Sequence, residues 1–255
     1  MSVVAVLTIL AGCGGPATGS HSGSAATRCP TVVVPAYFTP HSQGAWNTIA
    51  SGHSDVAWVI MNPDTGPGPS VQPGYRRILR RLRRAGERVL GYVPTRQGHR
   101  STASLLAEVD HYRTWYGVRD IFFDEAPTGT SSEPLYRRLV AAVHARHGFA
   151  ALNPGTVPAV GYFTFADAVV TFESTAARYE RTSRRPRRLA GVPDRKIWNI
   201  VVQAPRQALR PVIEVATDRR AGVLYVTDGG PPNSYDHLPS YWSSEVRALR
   251  SGCRG

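Results

Sequence analysis

Past residue 30 the chain alternates between short apolar runs and longer amphipathic stretches. The apolar runs cover residues 31–38, 56–62, 88–93, 120–124, 149–153, 168–173, 196–203 and 222–227. Most are nearly continuous and rich in Val, Ile, Phe and Trp, the pattern of parallel strands buried on both faces. Between them apolar residues recur at helical spacing. Ile78, Leu82 and Ala85 form one stripe, Leu105, Val109, Tyr112 and Tyr116 a second, and Tyr136, Leu139, Val140 and Val143 a third. Eight strand–helix units in about 225 residues predict an α/β chain folded as a single-domain (β/α)8 TIM barrel. A doubly wound sheet is the alternative, but its Gly-rich phosphate turn is missing.

The strand ends carry the polar chemistry. They run into Pro, Gly, Asn, Asp or Glu, as in Gly91-Tyr92-Val93-Pro94-Thr95-Arg96 and Phe122-Phe123-Asp124-Glu125. In a barrel these ends form one rim, and that rim holds the active site. Asp124 and Glu125 end the fourth strand and Glu173 ends the sixth. Adjacent carboxylates at the end of an apolar strand are costly unless paired or used. Crowding separates their pKa values, which suits acid/base work. Glycoside cleavage needs two such carboxyls facing each other over a sugar. Tyr37, Tyr92, Tyr162, Tyr235, Tyr241 and Trp242 crowd the same rim and suit sugar stacking. Asp64, Arg96, Asn153 and Asp228 are the polar candidates for sugar hydroxyls, with Asp64 and Asp228 also readable as turn formers.

Several chemistries are missing. There is no Gly-x-Ser-x-Gly elbow, no His-Glu-x-x-His and no Walker loop. The eight histidines form no ligand set at strand ends, so neither a metal nor a cofactor is expected. Three cysteines are too few for a cysteine-built zinc site or an iron–sulfur cluster.

The N-terminus reads as an address. Residues 3–10 are an apolar run, and Leu10-Ala11-Gly12-Cys13 resembles a bacterial lipobox in which Cys13 takes the lipid. An ordinary secretory signal is the alternative. Residues 1–13 are therefore expected to be signal and lipobox, 14–28 a flexible linker, and 29–255 the barrel. Export permits disulfides, and Cys29 with Cys253 would then tie the domain's ends together. The expected location is extracellular or at the cell surface, with a membrane contact through the lipid anchor.

The 255 residues carry a formal net charge of +12, and Lys196 is the single lysine. Arg76, Arg77, Arg80, Arg81, Arg83, Arg84 and Arg88 form one run. Arg178, Arg181, Arg184, Arg185, Arg187, Arg188 and Arg195 form another. The first run lies opposite the Ile78/Leu82/Ala85 stripe and reads as a solvated helix face. No nucleic-acid motif accompanies the charge, so no nucleic-acid partner is expected. The expected partner is a polysaccharide, and the expected state a monomer.

An ordered set of motifs resembles the spherulin-4 family. It comprises Val34-Pro35-Ala36-Tyr37-Phe38, Met61-Asn62-Pro63 with Gly66-Pro67-Gly68, Gly91-Tyr92-Val93-Pro94-Thr95, Ile121-Phe122-Phe123-Asp124-Glu125, Leu152-Asn153-Pro154-Gly155, Thr171-Phe172-Glu173, Tyr225-Val226-Thr227-Asp228-Gly229 and Leu238-Pro239-Ser240-Tyr241-Trp242. The set runs in register from about residue 31 to 247. The resemblance implies a (β/α)8 fold. It also implies the activity of glycoside hydrolase family 135, cleavage of α-1,4-linked N-acetylgalactosamine in galactosaminogalactan. The family's functional acids fall on Asp124, Glu125 and Glu173. The expectation is thus a retaining endo-glycosidase with Asp124 as nucleophile, Glu173 as acid/base and Glu125 tuning Asp124, the roles being exchangeable. A non-catalytic glycan-binding lipoprotein on the same barrel is the alternative, and a polyanion-binding surface protein a third. An acetylated or anionic glycan fits the +12 charge better than a deacetylated, cationic one.

Overall fold

The computed structural model describes residues 30–51, 56–182 and 184–251. The expected signal, linker, lipidation site Cys13 and Cys29–Cys253 clasp lie outside these residues. The described chain is a closed barrel of eight parallel strands in sequence order. The strands are β1 (Thr31–Ala36), β2 (Val56–Met61), β3 (Arg88–Pro94), β4 (Asp120–Asp124), β5 (Ala150–Leu152), β6 (Ala168–Thr175), β7 (Ile197–Val202) and β8 (Val223–Val226). Pairing of Thr31 with Val223 and of Val32 with Leu224 closes the ring. The helices are α1 (Gln43–Ser51), α2 (Pro73–Arg84), α3 (Thr102–His111), α4 (Glu133–His144), α5 (Tyr162–Phe165), α6 (Ala176–Glu180), α7 (Leu209–Asp218) and α8 (Trp242–Ser251).

The long helices follow the sequence pattern. Helix α2 starts with Pro73 at a position where a missing N–H costs nothing, and it buries Tyr75, Ile78, Leu79 and Leu82. Its arginines face solvent. Ala85 falls just past the helix as its cap. The second stripe is buried as expected, but Tyr112–Tyr116 widens into a π-helical turn that ends at left-handed Gly117. Gly91 makes this packing possible. A Cβ there would sit 2.5 Å from the Tyr112 ring, whose hydroxyl donates to the Tyr92 carbonyl.

The barrel is less regular on one side. Helices α5 and α6 are single turns of four and five residues. Pro154, Gly155, Pro158 and Gly161 break the chain before α5, and Pro186 stands in the segment after α6. Loops therefore replace helix between β5 and β7.

The lumen is filled in layers. Trp58 on β2, Phe149 before β5 and Trp198 on β7 meet although their strands are not neighbours, so they meet inside the barrel. Their ring centroids lie 4.3 to 6.1 Å apart. Arg88 lies 3.8 Å over the Trp58 ring and pairs with Asp120, plugging the N-terminal end. Above this plug Tyr92 stacks toward Phe122. The next inward position on β4 is Asp124.

Candidate active site

Residue parity alone does not aim Glu173 into the barrel. On β6, Val170 pairs with Trp198, which faces the lumen. Strict alternation would then send residue 172 inward and residue 173 outward. The register slips between Val170 and Phe172, so that Phe172 pairs with Asn199 and Glu173 with Ile200. Thr171 is the inserted residue. Phe172 consequently packs outward on Tyr179 of α6, and Glu173 turns into the mouth. A bulge beside an active site re-aims a side chain in just this way.

Asn153, one residue past β5, joins the two carboxylates. Its Nδ2 donates to Asp124 Oδ1 at 2.7 Å and also to Glu173 Oε2. Its Oδ1 accepts the Gly155 N–H at 2.9 Å, which fixes the amide orientation. One nitrogen holding both carboxylates limits the gap between their facing oxygens to about two hydrogen-bond lengths, roughly 6 Å or less. The second oxygen of Glu173 accepts the Tyr235 hydroxyl. The Tyr92 hydroxyl and the Glu125 N–H lie close enough to the Asp124 carboxyl to favour its ionised form.

The environment acts on Asp124. Burial first, and then the negative charge of Glu173, push its pKa from 3.8 up to about 6, against the pull of its hydrogen bonds. The tyrosines respond in the same sense. Burial and the nearby carboxylates raise Tyr37, Tyr92 and Tyr235 well above the usual phenol value, so all three remain neutral donors. Among the described residues, no Arg, Lys or His forms an ion pair with Asp124, Glu125 or Glu173.

Glu125 is exposed and stands apart from the pair. Its backbone is left-handed at φ 55°, as are Arg96 at 49° and Gln97 at 55° on the facing loop. The two loops lock each other. The Arg96 N–H donates to Glu125 Oε2 at 3.0 Å, and the Gln97 N–H donates to the Glu125 carbonyl at 2.9 Å. Buried Thr95 braces the crossing. Its hydroxyl reaches the carbonyls of Asp124 and Glu125 at 2.7 and 2.9 Å and meets the Tyr136 hydroxyl at 2.6 Å. Such backbone persists only where the surroundings over-determine it, and it clusters at functional sites.

Among the other residues read from the sequence, Tyr37 belongs to the cluster. Its ring lies 5.2 Å from both Tyr92 and Tyr235, edge-on to each. Arg96 contributes its backbone to the Glu125 clamp, while its side chain is exposed. The remaining candidates lie elsewhere. Asp64 is an exposed turn residue whose loop borders α3 at Ser104, Glu108 and His111. Asp228 accepts the Ser240 N–H and hydroxyl, tying the end of β8 to the segment before α8. Trp242 is buried and lines a groove with Ala45 and Thr48 of α1, in the helical layer. Tyr162 and Tyr241 are buried and donate to the carbonyls of Gly129 and Ala204. Sequence reasoning missed Thr95 and Tyr136, whose only signal was a polar residue following Pro94 and a tyrosine in an otherwise apolar stripe. Among the described residues, no group of three or more His, Cys, Asp and Glu side chains is arranged to hold a metal ion.

Known proteins resemble both the sequence and the fold. Spherulin-4 of Physarum polycephalum is 27% identical over 250 residues, covering 92% of this chain and 75% of its own length. The crystal structure of Aspergillus clavatus Sph3 in complex with GalNAc matches with a TM-score of 0.77 at 25% identity, covering 88% of this chain and 98% of that one. Active domain 2 of a Pyrococcus furiosus chitinase shares the fold, with a TM-score of 0.55 at 12% identity over 90% of this chain and 98% of its own. The model of spherulation-specific family 4 matches residues 31–249, essentially the whole described barrel, and the chain belongs to that family, Spherulin4.

Proposed function

We propose that this protein is a retaining glycoside hydrolase that cleaves within an α-1,4-linked N-acetylgalactosamine-type polysaccharide. The observation that carries the reading is the Asn153 amide, which holds Asp124 and Glu173 together with no ion pair to either among the described residues. A carboxyl spacing of roughly 6 Å or less suits retention, for which about 5–5.5 Å is usual, better than inversion, which leaves about 6.5–9.5 Å for a water. The sugar in the Sph3 structure, GalNAc, supports the substrate class.

The roles follow from the electrostatics. Asp124, pushed up to about 6, keeps its proton to a higher pH than an ordinary carboxyl, so it protonates the leaving glycosidic oxygen. Glu173 has a donor on each oxygen, Asn153 Nδ2 on one and the Tyr235 hydroxyl on the other, which hold its carboxyl in one orientation, so it is the group that attacks the anomeric carbon. Asp124, now ionised, takes a proton from water, which displaces Glu173 and regenerates both groups. This reverses the roles first assigned from the sequence. Glu125 holds the Arg96 loop and tunes Asp124 through its N–H. Tyr37 and Tyr92 wall the sugar site.

The test is a product assay on α-1,4-linked N-acetylgalactosamine oligomers with wild type, Asp124→Asn and Glu173→Gln. Both variants should lose at least about 1,000-fold in kcat, and fresh product should keep the α configuration by NMR. Undiminished hydrolysis by either variant, or β product, sinks the corresponding part. The N-terminal motif adds the proposal that the barrel is exported and anchored at the surface through lipid on Cys13. Metabolic labelling with a fatty acid should mark the wild type and not Cys13→Ser.

A further inference from the structure

On the outer flank of β6, behind Glu173, lies a groove of about 470 Å³ whose walls carry Arg178, Arg181, Arg184, Arg188 and Arg219. None of its described lining residues is acidic. Neighbouring Arg185 shows what an arginine does here when it is structural. It pairs with Asp194 at 2.8 Å and donates to the Leu189 and Val192 carbonyls. The five groove arginines have no ion pair among the described residues. Arg188 is steadied by the Val157 carbonyl at 2.8 Å.

Arg219 is the unusual member. It is only 5% exposed, yet it lines the groove. Nη1 donates to the Thr182 carbonyl at 2.6 Å, and the rings of Phe172 and Tyr179 lie 5.7 and 5.3 Å from its centre. Its Nε is buried with no acceptor among the described residues. A guanidinium cannot shed its charge to relieve this, and a buried cation without a counter-ion is expensive. Five like charges around one concavity add mutual repulsion. An oxyanion entering the groove would relieve both costs, and guanidinium forks match phosphate and carboxylate groups in pairs of hydrogen bonds.

The groove adjoins the site. Its wall at Thr156 and Val157 begins three residues after Asn153, a chain length of at most about 11 Å. Thr156 also bridges to Phe172, the residue before Glu173. We infer that the arginine groove on the β6 flank is an anion subsite, which takes a carboxylate or phosphate substituent of the same glycan that enters the barrel mouth. This rests on the glycan-hydrolase reading for the identity of the chain, though not for the anion.

Titration calorimetry on the full chain in low-salt, phosphate-free buffer tests it, with inorganic phosphate, an oligogalacturonide and a neutral N-acetylgalactosamine oligomer as probes. The oligogalacturonide should bind wild type, compete with phosphate, and weaken steeply with salt. Arg181→Glu with Arg184→Glu changes two exposed positions, so the fold is retained. It should weaken both anions at least about tenfold and leave binding and hydrolysis of the neutral oligomer unchanged. Equal binding of the anions by the double variant, or none by wild type, overturns the proposal. Phosphate binding without oligogalacturonide binding also overturns it, because the groove would then take free ions only. Failure of hydrolysis alone, with anion binding intact, would fall on the enzymatic reading and leave the anion site standing.

Discussion

The Tyr235 hydroxyl donates to Glu173 Oε1 across 62 positions of sequence, from the loop after β8 to the end of β6. Strand β7 lies between these two strands, so the bond spans part of the barrel mouth. Asn153 holds the other oxygen. Glu173 is thereby fixed in one orientation, which the attack proposed for it requires. Tyr235→Phe keeps the ring against Tyr37 and removes only the donor. A hydrogen bond to a charged group contributes about 1.5–3 kcal/mol, so kcat should fall roughly 10–100-fold. KM and the melting temperature should move little. Kinetics indistinguishable from wild type would remove Tyr235 from the mechanism.

The coupling of Asp124 to Glu173 makes a pH prediction. Asp124 must be protonated to act as acid, so kcat/KM should fall as pH rises through about 6. Glu173→Gln removes the charge that raises Asp124, so the Asp124 titration should move down toward the ordinary 3.8. Removing Asn153 acts oppositely, because its amide favours the ionised form of Asp124. Carboxyl-carbon NMR titrations of Glu173→Gln and Asn153→Ala read both directions. A shift of the same sign in the two variants would refute the arrangement.

The barrel was legible because its signal is local. Ile121-Phe122-Phe123 reads as a buried strand, and Tyr136, Leu139, Val140 and Val143 at helical spacing read as one face turned to a core. The acids were legible because Asp124 and Glu173 end such strands. Their convergence was not. It depends on the Thr171 bulge, and nothing in Val169-Val170-Thr171-Phe172-Glu173 marks where the alternation slips. Asn153 was visible as a rim residue, but not as a bridge, because that role needs the two neighbours on β4 and β6 at once. Trp242 misled for the converse reason. Its motif ends at the rim, but α8 turns the ring into the helical layer beside α1.

Thr95 carries a prediction about backbone strain. Its hydroxyl braces the two carbonyls beside left-handed Glu125, and it is fully buried. Thr95→Val keeps the shape and deletes the hydroxyl, leaving Tyr136 without its partner. Stability should drop by about 1–3 kcal/mol. With the brace gone, the Glu125 loop relaxes and activity should fall further than stability does. Chemical denaturation alongside kcat/KM separates the two effects. A variant as stable and active as wild type would show that Thr95 braces nothing.

Glu245 offers a stability test outside the Asp124–Glu173 pair. It lies in the first turn of α8, fully buried, and its Oε1 accepts the Val226 N–H at 2.8 Å. Among the described residues its Oε2 has no hydrogen-bond partner, and neither has the nearby Tyr225 hydroxyl. Burial raises its pKa well above the ordinary 4.5, and Asp228 adds to the rise. The folded protein therefore holds a proton that the unfolded chain releases above about pH 4.5. The stability contributed by this protonated form is fully present below that pH and is lost progressively as pH rises through the folded value. Glu245→Gln keeps an acceptor for Val226 and has no charge to bury. It should match wild type near pH 4 and exceed it at pH 7, where each kcal/mol gained appears as about 2–4 °C in Tm. Melting curves of the two proteins across this range decide the matter. Parallel curves with no gap opening toward neutral pH would mean that Glu245 is ionised and satisfied in the fold.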